Sequence, residues 1–225
     1  SQKKILDHKD FEIWNTIQMP TISSNGEYVM YSLLKGEKDS HLKIKDNQGN
    51  LIIDHERSQN GEFTYDSKFA VFTIRAWKDS ITELKRSKVS KENMPKDSLG
   101  IFNLVEKRLE KIANVKSYKL PEKWSNYIAY TLENTIDKSN PKKKEYKDTL
   151  KQKPIKKPSL KNGFHLVIRN LSTSQEDTIP FVTNYSFAKE GHVLAYSTTG
   201  KNVKYKPGVY VKDLKLSQDK HVFME

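Results

Sequence analysis

The chain has no cysteine, which removes disulfides, thiolate catalysis and cysteine-ligated zinc from consideration. Its compartment stays open, with export or the periplasm compatible, because exported bacterial proteins also dispense with cysteine. No apolar run approaches the roughly 18 residues of a membrane span, and Ser1-Gln2-Lys3-Lys4 is followed by no apolar leader-type stretch. The expectation is a chain with no membrane span. Only nine glycines occur and no two are spaced Gly-x-Gly, so a glycine-rich phosphate cradle is absent. None of the nine frames a serine as Gly-x-Ser-x-Gly, the strained turn that exposes a hydrolase nucleophile. No catalytic residue is assigned.

Histidine supplies no metal site either. His8, His41, His55, His165, His192 and His221 are scattered without the i, i+4 pairing of a helical zinc motif. Asp7-His8 and Asp54-His55 are adjacent, but neighbours on a strand point to opposite faces, so adjacency makes no acid–base dyad. Trp14, Trp77 and Trp124 lie in unlike contexts, which favours blade packing or core roles over a shared carbohydrate platform. No cofactor, metal or cofactor-binding residue is expected.

What the sequence has in quantity is positive charge, +12 over 225 residues, a balance that points to an acidic partner unless it is local. It is local. Lys138 to Lys161 holds ten Lys against Glu145 and Asp148, +8 of the +12, punctuated by Pro141, Pro154 and Pro158. Such a run reads as a solvated insertion. With Lys but no Arg, and with Tyr146 as its one aromatic, it lacks what nucleic-acid readers use for base contacts and stacking, so nucleic acid is not expected as a partner.

A repeated unit organises the rest. Ser23-Ser24-Asn25-Gly26 precedes the short alternating run Glu27 to Tyr31, and Tyr65-Asp66-Ser67-Lys68 precedes Phe69 to Phe72. Trp124-Ser125-Asn126 and Glu190-Gly191-His192 do the same before Tyr127 to Tyr130 and Val193 to Tyr196. Asn or Asp followed by Gly or Ser accepts a tight turn, and the runs suit half-buried strands. A second strand with its own turn follows each copy, at 42–49, 99–104, 164–171 and 208–214. The turns are spaced by 41, 59 and 65 residues (Gly26, Ser67, Asn126, Gly191), which exceeds a bare blade where 78–97 and 138–161 intervene as insertions. Small antiparallel sheets repeated in this way must stack on neighbours to bury their faces, and this favours a β-propeller over a two-sheet sandwich. The expected fold is all-β: a partial propeller of about four antiparallel blades of WD40 or TolB-like type, occupying 1–225. Asp10 to Ile17 reads as a short leading helix within 1–20, capped by Asp10 and ended by Pro20.

Particular residues carry a family resemblance. Asp10-Phe11-x-x-Trp14 leading to Ile22-Ser23-Ser24-Asn25-Gly26 and Tyr31, then Met94 to Ile101, Val115 to Glu122 and Tyr185-Ser186-Phe187, resemble the propeller of prolyl oligopeptidase family serine peptidases, especially a branch common in Bacteroidetes. That resemblance implies a parent protein in which a C-terminal α/β-hydrolase domain, absent from this chain, carries a Ser-Asp-His triad, and in which the propeller limits access of peptide substrates. Some members hold a substrate's amino terminus with adjacent propeller glutamates. This chain has no Glu-Glu pair, which puts exopeptidase specificity in doubt. The rival reading is an independent TolB-like propeller that binds protein or peptide. A propeller cut partway exposes blade edges, so a homodimer through those edges is also expected.

Overall fold

The computed structural model describes residues 7, 10, 14–36, 38–133, 161–200 and 206–224. Most of the Lys-rich stretch lies outside them. The described residues form antiparallel sheets in chain order. The first blade is β1 (Asn15–Ile22), β2 (Tyr28–Lys35), β3 (His41–Asp46) and β4 (Leu51–Glu56), and the second is β5 (Ser58–Phe63), β6 (Phe69–Ile74), β7 (Ser98–Asn103) and β8 (Arg108–Ile112). A seven-stranded sheet follows: β9 (Val115–Lys119), β10 (Tyr127–Leu132), β11 (Phe164–Asn170), β12 (Glu176–Phe187), β13 (Val193–Thr198), β14 (Gly208–Asp213) and β15 (Gln218–Met224). It is two blades sharing one strand. β12 pairs with β11 as far as Val182 and with β13 from Val182 onward, bending where Phe181 takes φ 55°. The same left-handed kink marks the passage from blade to blade at Arg57 (φ 61°) and Asn114 (φ 60°). The result is a partial β-propeller of four antiparallel blades.

The expected helix over 10–17 is corrected in its second half. Asn15, Thr16 and Ile17 pair with Lys35, Leu34 and Leu33 of β2, so they are strand. The Asp10 amide donates to the Asp7 carbonyl (2.8 Å), and residues 11–13 fall outside the described set. The ladder along β2 supplies hydrogen bonds to β-branched residues that a short isolated helix could not better. Pro20 is tolerated inside β1 because β1 is an edge strand with a bulge between Gln18 and Thr21, where Met19 takes φ 50°.

Alternation of side chains on the middle strands places the core between blades. Met30, Leu42 and Ile44 of blade 1 meet Ala70, Phe72, Ile74 and Phe102 of blade 2. Val71, Leu99 and Ile101 leave the opposite face of blade 2 to meet Ile128, Tyr130 and Val167 of blade 3. Ala129, Leu166 and Ile168 then meet Leu194, Tyr196 and Tyr210 of blade 4. Gly100 is required by this packing, since a Cβ there would lie 2.5 Å from the Phe72 ring.

A charged clasp closes the rim of two of these interfaces. Arg169 on β11 reaches back to Glu110 of blade 2 (Nη2–Oε2 2.6 Å) and also to Glu176 of its own outer strand (3.0 Å), where Tyr130 donates its hydroxyl (2.8 Å). One blade later Lys212 on β14 reaches back to Asp177 of blade 3 (2.7 Å) and to its own Asp219 (3.4 Å), where Tyr196 donates (3.0 Å). Burial works against the charge of Arg169 and Lys212, and the paired carboxylates outweigh it, so both are held above their usual pKa.

Meandering strands send their connections to two ends. The turns from first to second strand lie at one end, and those of the first two blades are built alike. The Ser23 hydroxyl accepts from the Tyr28 amide (2.9 Å) and donates to Asn25 (2.7 Å), as Thr64 accepts from the Phe69 amide (3.1 Å) and donates to Asp66 (2.7 Å). They also link blade to blade, the amide of Asn25 donating to Ser67 (3.2 Å) and that of Asp66 to Ser125 (2.7 Å). Connections from second to third strand lie at the other end, with the blade-to-blade crossings. Segment 78–97 is such a connection and contains a helix, α1 (Lys78–Arg86), with no buried residue, and a 3₁₀ turn at Lys91–Asn93. Residues 134–160 connect β10 to β11 at the same position of the next blade.

Candidate functional site

The connection between β2 and β3, the Arg57 crossing and α1 border a groove of about 1190 Å³ at the insertion end. Its wall includes Trp77, 49% exposed, with the Arg57 guanidinium 4.4 Å from the ring centroid. Arg57 is positioned by its own backbone kink and by donation from Nη1 to the Arg75 carbonyl (2.9 Å). Arg75 pairs with Asp97 (3.2 Å), which also accepts from the Ala76 amide (3.2 Å), so the two ends of the insertion are pinned together. Lys78 Nζ donates to the Lys38 carbonyl, joining α1 to the β2–β3 connection. Around Trp77 the lining charges are of both signs, Arg75 and Lys85 against Glu56 and Asp97, so the groove presents no single-sign field to a polyanion.

Ser40 and Ser58 are buried, Ser40 donating to the Ser58 carbonyl at 3.0 Å. The His55 Nδ1 contacts Ser58 Oγ at 2.7 Å, with the Glu56 carbonyl at 2.8 Å and, among the described residues, no carboxylate bonded to the ring. Burial first, then Lys111 and Arg57, hold His55 below its usual pKa. Asp54 points away from it, as strand alternation requires, and takes His41 Nδ1 (2.8 Å) and Lys43 (3.0 Å) instead. Among the described residues no three His, Cys, Asp or Glu side chains come together to hold a metal ion, and no helix is long and apolar enough to cross a membrane.

The tryptophans divide. Trp124 is buried, as blade packing predicts, donating Nε1–H to the Ala188 carbonyl (2.9 Å) and lying edge-on to Phe187. The same expectation fails for the other two: Trp14 is 55% exposed before β1, and Trp77 lines the groove. Trp77 begins an insertion whose helix buries nothing, so no core is available to receive the ring. The Trp77 and Arg57 pair went unread in the sequence, since 20 residues separate them and only the blade crossing brings them together. The signal available was an aromatic at the boundary between an apolar strand and a charged insertion.

No family model matches the chain, and no curated protein matches it in sequence. Solved structures match it in fold. The β-propeller domain of the Trilobed protease from Pyrococcus furiosus is similar with TM-score 0.50 and 12% identity over 94% of this chain and 58% of that one. A prolyl endopeptidase is similar with TM-score 0.53 and 10% identity over 96% of this chain and 31% of that one. An acylaminoacyl peptidase from Pyrococcus horikoshii has TM-score 0.49 and 14% identity over 97% of this chain and 34% of that one. At these identities the likeness is one of fold. This chain spans from about three-fifths to about one-third of the length of these relatives.

Proposed function

We propose that the chain is a propeller segment of a prolyl oligopeptidase-like serine peptidase, with no catalysis of its own, and that it limits access of peptides to a hydrolase domain of the same protein. One observation carries the reading. Residues 78–97 follow a second strand at the end of the blades where Trp77 lines a groove, and the connection between β10 and β11 leaves its blade at that same end, so this end is furnished to meet substrate while turns that hydrogen-bond from blade to blade occupy the other. The propellers of the Trilobed protease and the prolyl endopeptidase support it at the level of fold. The Bacteroidetes-type assignment rests on the sequence motifs alone.

The test is hydrolysis of proline- and alanine-containing chromogenic peptides by this chain and by the complete gene product, with and without a serine-directed covalent inhibitor. The expected result is inhibitable cleavage by the complete product alone, with the same peptide resistant when embedded in a folded protein. Cleavage by this chain itself would overturn the reading. No cleavage by either would favour a peptide-binding TolB-like scaffold.

A further inference from the structure

The internal repeat assigns a role to every face of every blade, including the two that no blade among the described residues covers. On the face turned toward the preceding blade, the second strand presents Phe72, Tyr130 and Tyr196, opposite Gly100, Val167 and Tyr210 of the third strand. Two residues further along the third strand stand Phe102, Arg169 and Lys212, the last two being the clasp cations. In blade 1 the same register gives Tyr31 opposite Lys43, and Lys45 two residues on. Blade 1 therefore carries the tyrosine and the cation of a clasp on its outer face. Leu51 stands across from Lys45, where blades 3 and 4 have Glu176 and Asp219. Tyr31 and Lys45 are half-buried, and neither side chain has a hydrogen-bond or ion-pair partner among the described residues. The other charges on this face are partly committed: Asp54 takes His41 and Lys43, and Glu56 lies across from His41.

The outer face of blade 4 can be read in the same way. Where blade 3 turns Ala129, Leu166 and Ile168 toward its successor, blade 4 turns Ala195 and Val209 to solvent and leaves Val211 half-buried. The carboxylate each clasp draws from the preceding blade, Glu110 or Asp177, lies across from Ile101 or Ile168. Across from Val211 stands Lys220. A copy of this chain stacked head to tail would bring Lys220 to Lys45, like charge to like, at a rim where both existing clasps join opposite charges.

We propose that the outer face of blade 1 is a docking surface for a further four-stranded β-blade bearing a carboxylate at the place of Glu110 and Asp177, and that Lys220 bars a second copy of this chain from it. Any dimer of this chain through its blade edges is therefore not of the head-to-tail kind.

The chain itself supplies the probe. Sedimentation at low ionic strength is compared for the parent, Lys220→Glu, Lys45→Glu and the double variant, with far-UV circular dichroism confirming each fold. Either single swap places a carboxylate opposite a lysine and is expected to strengthen self-association about tenfold or more, weakening again as salt is added. The double variant restores like charges and is expected to return to the parent's behaviour. Folded single variants that associate no better than the parent would overturn the proposal. So would a parent dimer that Lys45→Glu weakens, since the face would then already accept its own copy.

Discussion

The interface between blades 1 and 2 and the two that follow fill the same rim position with opposite chemistry. Between blades 2 and 3, and again between 3 and 4, a cation on the third strand joins two carboxylates and a tyrosine hydroxyl approaches one of them. Between blades 1 and 2 the cation is Phe102, the carboxylate across from it is Leu109, the tyrosine is Phe72, and Ile52 and Ile53 approach from the preceding blade. Geometry alone thus does not demand charge at the rim. A half-exposed rim leaves the carboxylates solvated while the cation's stem is buried, so a charged clasp and an apolar plug can close the same gap with similar stability. The clasp adds a rule about which blade may stand next to which, since a cation accepts only an acidic neighbour.

The largest effect belongs to the apolar side of the comparison. Phe72 is fully buried and packs against Gly100, with no polar partner to lose. Phe72→Ala is expected to cost about 3–5 kcal/mol, read as a lowered denaturation midpoint in urea with unchanged slope. A cost under about 1 kcal/mol would mean that the first interface contributes little and that blade 1 unfolds separately.

Next comes the clasp. Arg169→Ala removes two ion pairs whose carboxylates are about 40% exposed, so water takes up much of the loss and the expected cost is about 2 kcal/mol, reduced further by salt. Importing the first interface's chemistry, Tyr130→Phe with Arg169→Met, Glu110→Leu and Glu176→Leu, is expected to stay within about 1 kcal/mol of the parent and to lose the salt dependence. If the fourfold variant is as unstable as Arg169→Ala, the two solutions are not interchangeable and the charge is needed for stability itself.

The comparison also explains which features could be read from sequence. Second and third strands bury both faces between neighbours, so runs such as Phe69 to Phe72 and Leu166 to Ile168 declare themselves, as do the turns that accept φ > 0 at Gly26, Ser67 and Asn126. First strands do not. Ser58 to Phe63 is polar, bulged and kinked at Asn60, and β1 is exposed along nearly its whole length, so Asn15 to Ile17 carried no strand signal strong enough to defeat a helical reading. Arg169 and Lys212 look like surface charges in the sequence, because Glu110 lies 59 residues before Arg169 and only register across two blades joins them. The groove was hidden for a similar reason. Arg57 reaches Trp77 through a backbone crossing, and no spacing rule for helices or strands marks that.

The smallest effect distinguishes the interfaces by pH. His55 lies beside the apolar one, its ring 5.7 Å from that of Phe72, with its pKa depressed by burial and then by Lys111 and Arg57. A depressed folded-state pKa means that the unfolded chain binds the proton more readily. The stability His55 contributes is therefore present above its unfolded pKa of about 6.5 and is lost as pH falls from there through the folded value. The ring is half-buried and still reached by solvent, so screening reduces the effect to a few tenths of a kcal/mol between pH 7.5 and 5.5. Glu62 works in the other direction, because burial raises its pKa and its contribution is lost as pH rises through the folded value. The quantity to measure is therefore the difference between the parent and His55→Gln, in which Glu62 cancels. That difference should favour the parent less as pH falls. A flat difference would show that the imidazole is solvated in both states, and that the first interface senses pH no more than the clasped ones do.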